Sequence, residues 1–254
     1  MKRVIVAAAA FALLTGTALA NHSWGNFHWA RTSNPSTITL VDSASTSAWD
    51  SALTGASNDW SASSVLDTVV TVGATDKRTR QRCAAVTGQV RVCNHTYGQN
   101  GWLGIAGIYL SGDHITKGYV KLNDTYFNTP TYDTAPWRSL VACQEIGHTF
   151  GLDHQDEAFG APNLGTCMDY TNDPDGGGIY GPSNEHPNQH DYDQLALIYS
   201  HLDSTTTIVN GAAVLPGKAR PFSQASRANG SVYVDHLAGG VTRVTHVFWT
   251  PFGE

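Results

Sequence analysis

Residues 141–157, "VACQEIGHTFGLDHQDE", carry the strongest structural signal in the chain. Gln144 and His148 are four residues apart, so on a helix they lie on one face and can both point at one metal ion, with Glu145 beside them. Gly151 stands where a helix would end in a left-handed turn, and that turn lets His154 return toward the same ion. The spacing therefore predicts a helix that ends at a concave site with three metal ligands.

The chemistry of these residue types favours zinc. With three neutral protein ligands, a zinc ion keeps an open position for water and lowers the pKa of that water, which makes Glu145 the candidate general base. Gln144 can offer its amide oxygen, a poorer donor to zinc than imidazole, so we expect a real but weak ligand. The alternative is that Gln144 only forms hydrogen bonds in a cleft without metal. His186 and His190 could also complete the site, but we favour an exposed loop and a helix start for them.

The segment resembles the extended signature of the metzincin metalloproteases, His-Glu-x-x-His-x-x-Gly-x-x-His, with Gln144 at the first histidine position. Downstream, "TCMDY" is similar to the methionine turn of that clan through Met168, and Tyr170 looks like the tyrosine that some members place near the metal. The element order over about residues 24–202 resembles the matrixin layout. The resemblance implies an α+β fold in which a twisted mixed β-sheet packs on two long helices, with an active-site helix, a Met-turn and a C-terminal helix.

The resemblance also implies a reaction, the hydrolysis of peptide bonds, in which Tyr170 hydrogen-bonds the developing oxyanion. We expect the substrate to lie along an edge strand within Gly104–Leu110, because an extended peptide can add to a free sheet edge. The run "NDPDGGG" at 172–178 is similar to calcium loops in composition but lacks their ligand spacing. A wall of the substrate pocket is the preferred interpretation of that run, and a Ca²⁺ site is the weaker alternative.

The chain has four cysteines, which allow three pairings in an oxidising compartment. We favour Cys83–Cys93, which closes a short hairpin-like excursion. For the other two, the metzincin layout places the residue before Gln144 and the residue before Met168 beneath the metal, which implies a Cys143–Cys167 disulfide. Free, buried thiols are the alternative.

Composition and the N-terminus predict a secreted globular protein. The 254 residues, 41% hydrophobic and 14% charged, can bury a sizeable core. Residues 1–20 have the basic start, apolar stretch and small-x-small ending of a signal peptide. Removing the two basic residues of that segment takes the formal net charge from −6 to −8, and no basic cluster remains to bind nucleic acid. No other stretch has the ~20 apolar residues of a membrane span.

The pattern along the chain predicts three helices, at about 45–60, 137–150 and 189–201, with short strands filling the middle. We place a metallopeptidase domain at 21–203. A C-terminal extension at 204–254, outside the resemblance, is predicted to be a β-hairpin that turns at Gly239-Gly240.

These observations together predict a monomeric, secreted, zinc-dependent endopeptidase that acts on a peptide or protein substrate. One alternative is a catalytically impaired module that holds a peptide or protein partner in the same cleft. A second is a surface-associated structural protein that uses the C-terminal hairpin for contact.

Overall fold

A computed structural model of the chain describes residues 22–209 and 230–251, so the predicted signal peptide at 1–20 lies outside the described residues. Within these ranges the chain forms eight strands and five helices. In chain order they are β1 (His28–Trp29), β2 (Ser36–Asp42), α1 (Ser47–Trp60), β3 (Leu66–Val72), α2 (Lys77–Arg82), β4 (Val90–His95), β5 (Trp102–Ser111), β6 (His114–Asn123), α3 (Asp124–Phe127), α4 (Ala135–His148), α5 (Gln189–Ile198), β7 (Val232–His236) and β8 (Val241–Trp249).

The described strands form one mixed sheet in the order β3-β2-β4-β6-β5-β8-β7, with β1 added beside β6. The strands β2, β3, β4 and β6 run parallel to their neighbours among themselves, whereas β5 is antiparallel to both β6 and β8. The predicted α+β class with a mixed sheet is therefore confirmed.

The two long helices α1 and α4 pack against each other and against the sheet. In α1 the buried positions recur at helical spacing, from Trp49 and Leu53 to Trp60. The indole of Trp60 donates a hydrogen bond to the backbone oxygen of Cys143 in α4, at 3.0 Å. Every residue of α4 from Leu140 to His148 is buried, so this helix is a core element and not a surface one.

The long helices lie close to their predicted positions, but two short helices were not predicted. Helix α2 begins after Asp76, whose side chain accepts hydrogen bonds from the backbone N–H groups of Arg78 and Thr79. It contains no buried residue, so no apolar periodicity marks it in the sequence. Helix α3 is a single turn capped by Asn123.

Both expected disulfides are present, Cys83–Cys93 and Cys143–Cys167. The second joins α4 to the residue that precedes Met168, so it holds the helix against the turn that contains Met168. Two disulfides are compatible with an oxidising, extracellular environment. Among the described residues, no helix combines the length and apolar character that a bilayer crossing requires.

The predicted C-terminal hairpin exists, with positive φ at Gly239 and Gly240, but it is part of the main sheet. Strand β8 pairs with β5 from Trp102 to Ser111, opposite the whole of Gly104–Leu110. The prediction that this stretch of β5 is a free edge is therefore wrong. The physical reason lies in β8 itself, because its last seven residues are all buried. Their backbone groups need hydrogen-bond partners and their apolar side chains need cover, and pairing with neighbouring strands provides both.

Candidate metal centre

Helix α4 contains the predicted motif and lies in the core. The helix begins after Thr134, whose hydroxyl accepts a hydrogen bond from the backbone N–H of Trp137. It ends at His148, and Gly151 follows with a φ of 98°, a left-handed conformation in which a side chain would be strained. The chain then turns back, and His154 reaches the ring of His148 with 4.5 Å between ring centroids.

Hydrogen bonds made by Nδ1 determine which ring nitrogen carries the hydrogen in each of these two imidazoles. Nδ1 of His148 lies 2.9 Å from the backbone oxygen of Leu152, and Nδ1 of His154 lies 3.1 Å from Oε1 of Glu157. Carbonyl and carboxylate oxygens only accept, so in both neutral rings the hydrogen lies on Nδ1. If both Nε2 atoms carry lone pairs, these lone pairs face each other at 3.0 Å, and either a proton or a metal ion between them relieves the repulsion.

The third imidazole of the cluster is His246 on β8, which the sequence analysis did not select. Its ring stacks on His148 with centroids 4.1 Å apart, and one ligand atom from each of His148, His154 and His246 lies within 4.8 Å of the others. Neither ring nitrogen of His246 has a hydrogen-bond partner in the described parts of the chain. A buried imidazole without partners is costly unless it binds a ligand, which makes His246 a candidate metal ligand.

Burial favours the neutral form of two of these rings, His148 and His246, which is the form that binds a metal. Burial is the largest effect and lowers the pKa of His148 well below its usual value; the neighbouring His246 and His154 lower it further. Burial likewise lowers the pKa of His246 to about 3. The hydrogen bond with His154 lowers the pKa of Glu157 to about 2, so this carboxylate is an anion that orients the ring of His154.

The spacing of two of these nitrogens is compatible with one metal ion between them. Two nitrogens at ordinary zinc distances in a tetrahedral site lie about 3.3 Å apart, close to the 3.0 Å between the Nε2 atoms of His148 and His154. Imidazole donors suit zinc, copper, iron and nickel alike, so the three residues form a group that could hold a metal ion, without selecting one. Three histidines leave one tetrahedral position for a further ligand.

Gln144 lies on the same helix, one turn before His148, and is completely buried. Its Nε2 donates to the backbone oxygens of Cys167 and Asp169, at 2.8 and 2.9 Å, which fixes the orientation of the amide. Its Oε1 has no hydrogen-bond partner in the described residues and is free to accept one or to coordinate a metal. The ligand role of Gln144 stays a prediction.

Glu145 is buried against β5. Burial, the largest effect, raises the pKa of its carboxyl well above the usual value, and a backbone hydrogen bond from Ala106 opposes this only in part. Ala106 pairs directly with His246 across the β5–β8 ladder, so Glu145 and His246 lie at the same level of the sheet. Burial therefore favours the protonated form of this carboxyl.

Gly104 makes the close approach of α4 to β5 possible. A Cβ at this position would lie 2.4 Å from Oε1 of Glu145 and 2.7 Å from a methyl group of Val141. We expect Gly104→Ala to lower the free energy of unfolding by about 1–3 kcal/mol, because the helix must move away from the strand. Urea denaturation measures this change. The matched control is Gly55→Ala in α1, where nothing lies within 4 Å and the free energy should rise by about 0.5–1 kcal/mol.

Met168 packs on α4, and Tyr170 lies beside His154. A Cβ on Gly147 would lie 2.7 Å from Sδ of Met168, so the Met168 turn packs directly on α4. The ring of Tyr170 is 4.9 Å from that of His154. Its hydroxyl donates to the backbone oxygen of Val247 at 3.0 Å and accepts from the backbone N–H of Trp249 at 2.5 Å. The proposed oxyanion donor is thus bound to β8 here.

The other candidate ligands lie outside this cluster. His186 is half exposed and pairs with Asp59 at 2.8 Å. His190 stacks on His22 with ring centroids 4.8 Å apart. In the 172–178 run, Asp173 accepts a hydrogen bond from Asn163 at 2.8 Å, and the suggested Ca²⁺ site stays a prediction.

A comparison with protein-family models finds no match, and a comparison with curated proteins finds none either. The arguments about function therefore depend on the residues and geometry of this chain.

Proposed function

We propose that this protein is a secreted zinc-dependent endopeptidase of the metzincin type, in a closed form. The observation that carries the proposal is the cluster of three buried imidazoles of His148, His154 and His246, adjacent to Glu145 on the helix that supplies His148. Hydrolytic zinc sites contain three protein ligands and a carboxyl group close to the metal.

Each residue has a definite role in this proposal. In the closed form His148, His154 and His246 would hold the metal, and Glu157 orients His154 through its Nδ1. A zinc ion held there would supply a Lewis acid that polarises a peptide carbonyl and favours ionisation of water. Glu145 accepts a proton from the attacking water and delivers it to the leaving amine. Tyr170 donates to the developing oxyanion once its hydroxyl is released from β8.

The closed form follows from the position of β8. A substrate that binds as an added strand needs the free edge of β5, and β8 pairs with that edge over its full length. Glu145 is also completely buried. We infer that cleavage requires β8 to leave β5, with Gln144 then taking the ligand position that His246 gives up.

The same strand favours a second candidate function. If β8 never leaves β5, the three histidines form a permanent metal centre and no peptide reaches Glu145. The protein would then be a metal-binding module without peptidase activity.

The experiment that separates the two functions uses Val244→Pro in the full chain. Val244 is a central residue of β8, and proline is not accommodated in a central strand, so pairing with β5 should weaken. With saturating zinc, we expect this variant to cleave an unstructured protein at least about tenfold faster than wild type, in a chelator-sensitive manner. The matched control is Val234→Pro, at the residue that pairs with Val244 on the outer strand β7.

The possible outcomes are distinct. Faster cleavage by Val244→Pro but not by Val234→Pro supports the closed endopeptidase. Stoichiometric zinc without cleavage in wild type and in both variants supports the metal-binding module. A wild-type chain that binds no zinc overturns both.

A further inference from the structure

A second group of metal-ligating side chains lies at another place in the fold, where β1 and the segment after α5 meet. Nε2 of His28 is 3.3 Å from Nε2 of His201 and 3.5 Å from Oδ1 of Asp203. Nε2 of His201 is 3.7 Å from the same Oδ1. His114, which pairs with His28 across the β1–β6 ladder, also brings its Nε2 to within 3.2 Å of this oxygen.

A hydrogen bond to the backbone determines which nitrogen of the His28 ring carries the hydrogen. Its Nδ1 contacts the backbone oxygen of Asn26, which can only accept, so Nδ1 carries the hydrogen. The Nε2 lone pair of a neutral His28 then points at a carboxylate oxygen and at another imidazole nitrogen. His28 is buried, so the partner of its Nε2 comes from this group, and that partner is either an N–H of the neighbouring imidazole of His201 or a metal ion.

One carboxylate oxygen of Asp203 is held by Arg31, and the other is positioned to coordinate a metal ion. The backbone N–H of Arg31 donates to Oδ2 at 3.1 Å, and the guanidinium of Arg31 donates to the same oxygen at 3.3 Å. Oδ1 is left facing His28, His114 and His201. An outer-shell donor that holds the second oxygen of a ligating carboxylate is the usual arrangement around protein-bound metals.

We infer that His28, His201 and Asp203, joined by His114, form a second metal site with a structural role. Imidazole and carboxylate donors at these spacings suit a tetrahedral zinc ion, whose ligands lie about 3.3 Å from each other. The side chains of His114 and His201 are about half exposed, 40% and 52%, so both can adjust to the ion. A bound ion would join β1, the start of β6 and the segment after α5.

The site is independent of the proposed peptidase, because it shares no residue with the His148 centre. Its test is a comparison of zinc content per chain, by mass spectrometry of the metal after dialysis, in wild type and His201→Ala. We expect His201→Ala to bind one zinc ion fewer. The matched control is His186→Ala, which removes a half-exposed histidine that pairs with one aspartate, and it should leave the zinc content unchanged.

A second experiment looks for a new spectroscopic signal at the same site instead of a lost zinc ion. With Co²⁺ as the probe, His201→Cys should show a thiolate-to-cobalt charge-transfer band that wild type lacks, because cysteine replaces one ligand by another that zinc and cobalt accept. His186→Cys should show no such band. Equal zinc content in wild type and His201→Ala, together with no band in His201→Cys, would overturn the second site. If the His148 centre binds no metal, the difference of one ion between wild type and His201→Ala still remains.

Discussion

His246→Ala should weaken zinc binding by at least about 100-fold, the upper end of what changes in the outer shell of a metal site cost. The substitution removes one of three clustered imidazoles, although the residue lies on β8, far from the motif helix along the sequence. Titration with zinc in competition with a chelator of known affinity measures the effect. His236→Ala is the control on the same hairpin, because His236 is exposed on β7.

A rescue experiment makes this prediction more specific. Gln144 lies one helical turn before His148, at the position where the metzincin signature has a histidine. Adding Gln144→His to His246→Ala should therefore restore three imidazole ligands and most of the lost affinity. If His246→Ala alone binds zinc as tightly as wild type, His246 is not a ligand and the three-histidine centre is wrong.

Glu145→Gln should lower the turnover number of the Val244→Pro protein by roughly 10²–10⁴-fold, the usual contribution of a general base, while zinc remains bound. Glutamine has the same shape but cannot accept a proton. The fold should tolerate it, because burial favours an uncharged group at this position. Initial rates of peptide cleavage at saturating zinc and saturating peptide give the turnover number.

Glu157→Gln is the matched control, since it is also a change from carboxylate to amide near the histidines. It weakens the partner of His154 and should reduce zinc affinity by about 10–100-fold. At saturating zinc its turnover should stay close to that of the parent. Equal turnover in Glu145→Gln and its parent would show that Glu145 is not the base.

The local part of the site could be predicted from the sequence because helical geometry determines it. Gln144, Glu145 and His148 are neighbours on one helix, and the left-handed turn at Gly151 brings back His154, so spacing alone places all four together. Their burial and the position of Met168 follow once the helix packs on the sheet.

The remaining part depends on strand pairing, which spacing along the chain does not determine. An apolar run such as β8 predicts a strand, but not which strand it joins or in which register. His246 reaches the metal position only because it pairs with Ala106. In the same way, the group around Asp203 depends on β1 lying beside β6, so His28 and His114 carry no signal in the sequence that they belong together.

The place of His246 in the chain also determines when the centre can form. Ribosomes release a protein from its N-terminus, and upstream segments can begin to fold before the last ones exist. A chain that has been made as far as α5 has His148, His154 and Glu145 but lacks the third imidazole. The proposed three-histidine centre would thus be completed only when the last strand of the sheet has been made.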